Sequence, residues 1–242
     1  WAGVLAGLEA WARAAGLVQV KIDPDVPLAA APVAARWRAR GWRPSAEQIQ
    51  FPNTMVSDLA GGEPAGGAQL KPKTRYNVRL AERRGVTVRH GGAGALGAFH
   101  AMYAETAARA GFGLRARAYY DAAWRTYLDR GDATVLLAFG DAVWYLYGAS
   151  AAAGREHMPA HLAQWESLRW AIARGARRYD WWGGPTTADP RDPLAGVGRF
   201  KEGFGAALVR QQGAWDFPAG RVRYALYHAA GRARRAWIGR GA

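Results

Sequence analysis

Along this chain, apolar residues recur at helical spacing in long stretches and alternate or cluster in the short runs between them. Residues 1 to 16 place Val4, Leu5, Leu8 and Trp11 on one face of a predicted helix. Leu17 to Ile22 alternates toward a strand that Asp23-Pro24-Asp25 closes. Ala30 to Gly41 predicts a short helix, Gly41-Trp42 opens a strand, and Met55 to Leu59 forms another after Pro52-Asn53-Thr54. Gly61 to Gly67 reads as a loop. Within Lys71 to His90, Val78, Leu80 and Ala81 give a helix its apolar side, Gly85 caps it, and Val86 to Val88 predicts a strand. Phe99 to Ala110 and Tyr119 to Arg130 are amphipathic helices, followed by strands at Thr134 to Ala138 and Ala142 to Tyr147. Met158, Leu162, Trp165, Leu168 and Ile172 form a core-facing helical stripe, with Pro159 in the first turn and Gly175 as the stop. Tyr179 to Trp182 starts as a strand and runs through a Gly/Pro/Asp loop to a turn at Arg199-Phe200-Lys201 and Gly203-Phe204-Gly205. Val222 to Ile238 predicts a C-terminal helix.

Composition narrows what such a chain can do. With 242 residues, 50% of them hydrophobic, it can bury one large core or two modest ones. The absence of cysteine excludes a disulfide framework and a thiolate metal site. His157 and His161 are four apart on a helix but have no evident third ligand, so no metal is expected. No apolar run is long enough to span a bilayer, and no signal peptide is visible, although the sequence opens on Trp1 rather than methionine. A net charge of +14 favours an anionic partner: RNA, nucleotide phosphates or an acidic membrane surface. An Arg-, Ala- and Gly-rich composition also accompanies a GC-rich genome, so charge alone does not choose among these. The cations concentrate in two places. Lys71, Lys73, Arg75, Arg79, Arg83, Arg84 and Arg89 face one acid, Glu82, and residues 217–242 hold six arginines and no acid. Each segment is either a solvated face or a phosphate- or membrane-contacting one. Nucleophile elbow, P-loop and Ser-His-Asp arrangements are not found, and no repeat is visible.

One stretch brings candidate chemistry together: Tyr179 to Asp216, YDWWGGPTTADPRDPLAGVGRFKEGFGAALVRQQGAWD. Its "YD-aromatic-x-G" strand, "G-x-x-R-F-K-x-G-F-G" turn and trailing "G-A-x-D" resemble the Fem-type (FemABX) aminoacyl-tRNA-dependent peptidyltransferases. These enzymes add bridge amino acids to peptidoglycan precursors. The resemblance extends to "K-I-D-P-D" ending at Asp25, to Pro52 through Leu59, to the basic junction from Lys71 to Val88, and to "W-Y-x-Y-x-x-S" from Trp144 to Ser150. The chain departs from the family pattern after the Thr134–Ala138 strand, where only Phe139 to Asp141 stand in place of a further hairpin.

The resemblance implies an α/β (α+β) fold of two GNAT-like acyltransferase domains with mixed central sheets, the first lacking its N-terminal part. The expected division is 1–90 for that first domain, 91–218 for the second and 219–242 for a basic C-terminal helix. The implied reaction moves an amino acid from aminoacyl-tRNA to the stem-peptide amine of UDP-MurNAc-pentapeptide or lipid II, without a cofactor. Lys201 would stabilise the oxyanion, Phe200 would wall the pocket, and Asp23 would orient or deprotonate the amine. Arg115, Tyr119, Tyr147 and Arg199 would hold the precursor, with Arg117 the rival to Arg115 by spacing. Lys71, Lys73, Arg75, Arg79 and Arg83 would meet tRNA. A cytoplasmic monomer touching the inner membrane surface is the expected setting. Another GNAT-like N-acyltransferase acting on a small amine, or a basic RNA-binding module without catalysis, stays open on the residues alone.

Overall fold

The computed structural model describes residues 1–89, 91–128, 136–139 and 141–238. Its helices are α1 (Ala2–Ala14), α2 (Ala31–Ala39), α3 (Gly62–Gln69), α4 (Pro72–Arg83), α5 (Leu96–Ala110), α6 (Arg117–Leu128), α7 (Pro159–Ala173), α8 (Ala195–Gly203) and α9 (Arg221–Ile238). Its strands are β1 (Gln19–Ile22), β2 (Arg43–Pro44), β3 (Asn53–Asp58), β4 (Leu136–Phe139), β5 (Ala142–Tyr145), β6 (Arg178–Asp180), β7 (Ala207–Arg210) and β8 (Trp215–Pro218). The chain folds into two compact units: residues 1–52 with 210–242, and residues 53–209. This partition cuts the chain elsewhere than at 90 and 218, because the last strand returns to the sheet of the first fifty residues.

In that first unit β8 lies between β1 and β2 and is antiparallel to both, with Ile22 opposite Trp215 and Arg43 opposite Asp216. Trp37, Trp42, Trp215 and Phe217 fill its core beside Leu5, Ala12 and Ala34, and the Trp37 and Trp215 rings meet edge-on at 5.1 Å. Two buried carboxylates key the helices onto this core. Asp216 is fully buried, 3.2 Å from the Lys21 ammonium, and accepts the Tyr224 hydroxyl of α9 at 3.0 Å. Glu9 of α1 accepts two Arg40 N–H groups and the Trp42 indole N–H, each at 2.8 Å. Burial pushes the Glu9 pKa up, but these donors outweigh it and hold it below the ordinary value. The inward face of α1 is therefore Leu5, Glu9 and Ala12, while Val4 and Trp11 lie exposed. The predicted stripe was rotated because apolarity alone does not reveal a glutamate whose partners are waiting inside.

The second unit has a five-stranded mixed sheet in the order β4-β5-β6-β3-β7. β5 and β6 are parallel and joined through α7, whereas β3 runs antiparallel to β6 with Val56 opposite Asp180. Met55, Leu168, Tyr179, Trp181 and Phe204 centre the core, and α4 packs on α7 through Val78, Ala81 and Leu162. Three local predictions change here. Residues 62–67 are not a loop but most of α3, and a Cβ on Gly66 or Gly67 would make only ordinary contact with Ile172 or Trp165 of α7, at 3.5 and 3.7 Å. Residues 86–88 form no strand. Arg199 to Lys201 is helix, not turn: Gly198 and Gly203 of α8 sit against Pro185 and Thr74, where a side chain would collide. Tertiary packing thus overrides the usual meaning of glycine. His90, Arg130 and Thr134, ends of predicted elements, lie outside the described residues.

Removing one partner of a buried ion pair leaves the other charge uncompensated. Asp216→Ala should therefore destabilise the fold by about 3–5 kcal/mol, read from the urea midpoint. A loss under about 1 kcal/mol, the range of exposed pairs, would contradict the role given to Asp216.

Candidate functional site

The second unit's sheet delivers its chemistry at the end of β6. Asp180, 3% exposed, accepts the Thr54 hydroxyl from neighbouring β3 on Oδ1, and the same oxygen accepts the Trp182 N–H at 2.8 Å. An aspartate bonded to the N–H two residues on makes an Asx turn. Trp182 is thereby held at φ +56°, a left-handed conformation that costs a non-glycine residue of order 1–3 kcal/mol. Gly183 follows at φ +30°. The turn aims two successive carbonyls at α8. Lys201 Nζ donates to Trp182 O at 2.5 Å and Gly183 O at 2.6 Å.

The lysine is 5% exposed. Burial drives its pKa down to about 8, and the Asp180 charge partly offsets this. An ammonium has three N–H donors, so two carbonyls leave one for a ligand. The loop feeding α8 is fixed by Asp192, which accepts the N–H groups of Leu194, Thr186 and Thr187. Those bonds, the Leu194 one foremost, hold its carboxyl down at about 2. Beside the lysine, Phe200 and Phe204 meet at 5.2 Å, and His161 of α7 lies 5.1 Å from Phe200. His161 is bonded to Asn77 at 3.1 Å, and burial, then Lys73, lowers its pKa.

A second grouping gathers at α5 and α6. The Arg115 guanidinium lies over the Tyr119 ring at 4.8 Å. Tyr147 packs 5.6 Å from Trp124 and 5.8 Å from Tyr120, and its pKa rises through burial, then Tyr119 and Tyr120, with Arg115 opposing. An apolar cavity of about 280 Å³ opens beside this cluster, among Phe99, Trp124, Tyr145 and Trp170. Arg117 is turned along α6 to Asp121 at 3.4 Å, whereas Arg115 lies over Tyr119 at the aromatic cluster.

The remaining sequence-predicted residues are distributed as follows. Asp23 lies in the first unit, accepting the Gln50 N–H at 2.9 Å. Arg199 is exposed on α8, and Lys71 pairs with Glu202 at 3.2 Å. Arg75 donates to Leu70 O at 2.9 Å, while Lys73, Arg79 and Arg83 face solvent. Sequence reasoning missed Asp180, Trp182 and Asn77, and weighed His161 only as a metal ligand. Only Asp180 carried a signal, as an aspartate two residues before the tryptophan of a Trp-Gly-Gly run.

Lys201 has a folded-state pKa below its ordinary 10.5, so the unfolded chain binds more protons between about pH 8 and 10.5. This group's contribution to stability should rise with pH across that window. Lysine-selective NMR should find Lys201 titrating near pH 8, and Lys201→Met should lack the rise in urea midpoint. A titration near 10.5 would refute the desolvated setting.

The FemAB family model matches residues 3–138 and 131–232 of the chain. Lipid II:glycine glycyltransferase of Staphylococcus haemolyticus (strain JCSC1435) is 32% identical over 92 residues, 38% of this chain and 22% of that protein. Aminoacyltransferase FemA of Staphylococcus aureus (strain MW2) is 34% identical over 89 residues, 36% of this chain and 21% of that protein. The chain thus matches about a fifth of the length of these curated relatives. The crystal structure of FemX superposes with a TM-score of 0.79 at 20% identity, covering 93% of this chain and 78% of that one. At that identity the likeness concerns the fold, which is of the α/β, GNAT-like kind the sequence predicted.

Proposed function

This chain belongs to the FemAB family, and from that membership and the Lys201 geometry we propose that it transfers an amino acid from aminoacyl-tRNA to the stem-peptide amine of a peptidoglycan precursor. The observation that carries this reading is a buried ammonium, oriented by two carbonyls, with one N–H left over. The names of the relatives, a lipid II:glycine glycyltransferase and an aminoacyltransferase, support the substrate class.

The reaction is aminolysis of an ester. The amine attacks the ester carbonyl, the C–N bond forms, and the carbonyl oxygen gathers negative charge. Collapse breaks the C–O bond to the tRNA ribose, whose oxygen leaves with the proton that the nitrogen sheds. Such a reaction needs alignment and a donor for the oxyanion more than it needs a nucleophile on the protein. Lys201 supplies that donor, and Phe200 walls the pocket against water. Arg115, with Tyr119, Tyr147 and Arg199, holds the precursor, since a guanidinium fork pairs bidentately with phosphate.

Lys71, Lys73, Arg75, Arg79 and Arg83 on and beside α4 meet the tRNA backbone. The setting is the cytoplasm, with the protein a monomer at the inner membrane surface. Among the described residues, no helix is long and apolar enough to cross a membrane.

Mass analysis of UDP-MurNAc-pentapeptide and of lipid II after incubation with charged tRNA tests the reading. One precursor should gain the mass of an amino acid residue. No gain on either, with every proteinogenic aminoacyl-tRNA supplied, would refute it. Arg115→Ala should raise the precursor's KM several-fold while sparing tRNA binding, and Arg117→Ala should not; the reverse would move the site to Arg117. Reversing Arg79 and Arg83 to glutamate should weaken tRNA binding and flatten its salt dependence, because fewer counterions are released. An unchanged salt slope would remove α4 from the tRNA surface.

A further inference from the structure

The Lys201 reading leaves a buried carboxylate beside it without a function. Asp180 is 3% exposed, and a carboxylate taken that far out of water persists only where donors replace the water. It has those donors in the Thr54 hydroxyl and the Trp182 N–H, both on Oδ1. Nothing in strand pairing requires a charge here: β6 ends at Asp180, whose backbone pairs with Val56, and an asparagine could form the same turn. The charge itself therefore needs a separate reason.

That reason lies across the turn. The carbonyls that Asp180 orients are the ones that Lys201 Nζ bonds at 2.5 and 2.6 Å. Carbonyl dipoles favour an ammonium, but burial opposes it, and a neutral amine could satisfy the carbonyls almost as well. A fixed negative charge tips the balance back. The other charged groups around this point are committed or directed elsewhere. Glu202, the next residue on α8, pairs with exposed Lys71 of α4. Arg199 is exposed on the same helix, and Lys73 of α4 faces solvent. From α7, His161 sits behind the Phe200 and Phe204 rings, and burial, then Lys73, favours its neutral form. Of the charges acting on Lys201, Asp180 is the one that opposes burial.

We propose that Asp180 is a positioning residue for transfer: its carboxylate holds the Trp182 turn that aims two carbonyls at Lys201, and its charge keeps that lysine an ammonium. The proposal rests on the reading of Lys201 as the oxyanion donor. It assigns two separable jobs to one side chain, geometry through Oδ1 and protonation through charge. Asp180→Asn separates them, because the amide oxygen can still accept the Trp182 N–H while the charge is gone.

The test compares wild type, Asp180→Asn and Thr54→Val in single-turnover transfer with charged tRNA and precursor across pH, alongside lysine-selective NMR of each. With two N–H groups held by carbonyls, only the ammonium has a third to offer an oxyanion, so the wild-type rate should carry a falling limb near the Lys201 titration at about pH 8. In Asp180→Asn both should move down together by about one pH unit. The variant's rate relative to wild type should then be about tenfold lower near pH 9 and recover toward pH 6.5. Thr54→Val keeps the charge and removes a donor that tempers it, so its limb should move up, and this arm decides the matter should the asparagine variant fail to fold. An equal loss at every pH, with the Lys201 titration unmoved, would make Asp180 merely structural and overturn the proposal. A faster Asp180→Asn would overturn it too, since the neutral amine would then be the working form. A normal rate in Lys201→Ala would instead defeat the oxyanion reading, whatever the NMR titrations do, so the two failures are distinguishable.

Discussion

A lysine ammonium that is 5% exposed must find in the protein what water gave it outside, and much of the second unit is arranged around that demand. Two carbonyls replace part of the hydration shell, and they converge because Trp182 adopts a backbone conformation it would avoid on its own. Trp182 stays there because Asp180 accepts its N–H, and Asp180 stays in place because Thr54 on the neighbouring strand donates to it. The antiparallel register of β3 and β6 sets Thr54 and Asp180 within reach of each other. From the other side, α8 presents the lysine only because Gly198 and Gly203 let the helix press onto Pro185 and Thr74. Sheet register, turn and helix packing therefore meet at one nitrogen atom.

The first unit solves the same problem without evident chemistry. Asp216 and Glu9 are carboxylates drawn into an apolar core of tryptophans, and each is surrounded by donors from elements distant in sequence. Such pairs add little net stability over apolar residues of the same volume, but they specify which element docks where. Asp216 ties β8 to β1 and α9, so the C-terminal stretch closes a sheet begun near the N-terminus.

Much of this was legible in the sequence where periodicity and motif agreed. The α7 stripe, the α5 and α6 helices, and the Phe200–Lys201 pair all emerged from spacing or family resemblance. What failed did so for physical reasons. Glycines in α3 and α8 read as loop and turn because propensity is local, whereas in α8 Gly198 and Gly203 allow close approach to Pro185 and Thr74. Nothing local marks Glu9 as buried, because the partners of its carboxylate, Arg40 and Trp42, lie some thirty residues away. Arg115 and Arg117 could not be separated by counting, although Asp121, four residues after Arg117 on a helix, is the partner that draws it aside. Asp180 stands inside the strand motif with nothing in the sequence to mark its role, since an Asx turn becomes meaningful only once the lysine across from it is seen.

The central claim is that the Lys201 ammonium acts on the transition state and not on binding. Single-turnover transfer by Lys201→Ala, at saturating charged tRNA and precursor, tests it most directly. Loss of one oxyanion donor should slow amide formation by about 10²–10³, with both substrates bound as tightly as by the wild type and the fold intact. Transfer at the wild-type rate would contradict the account.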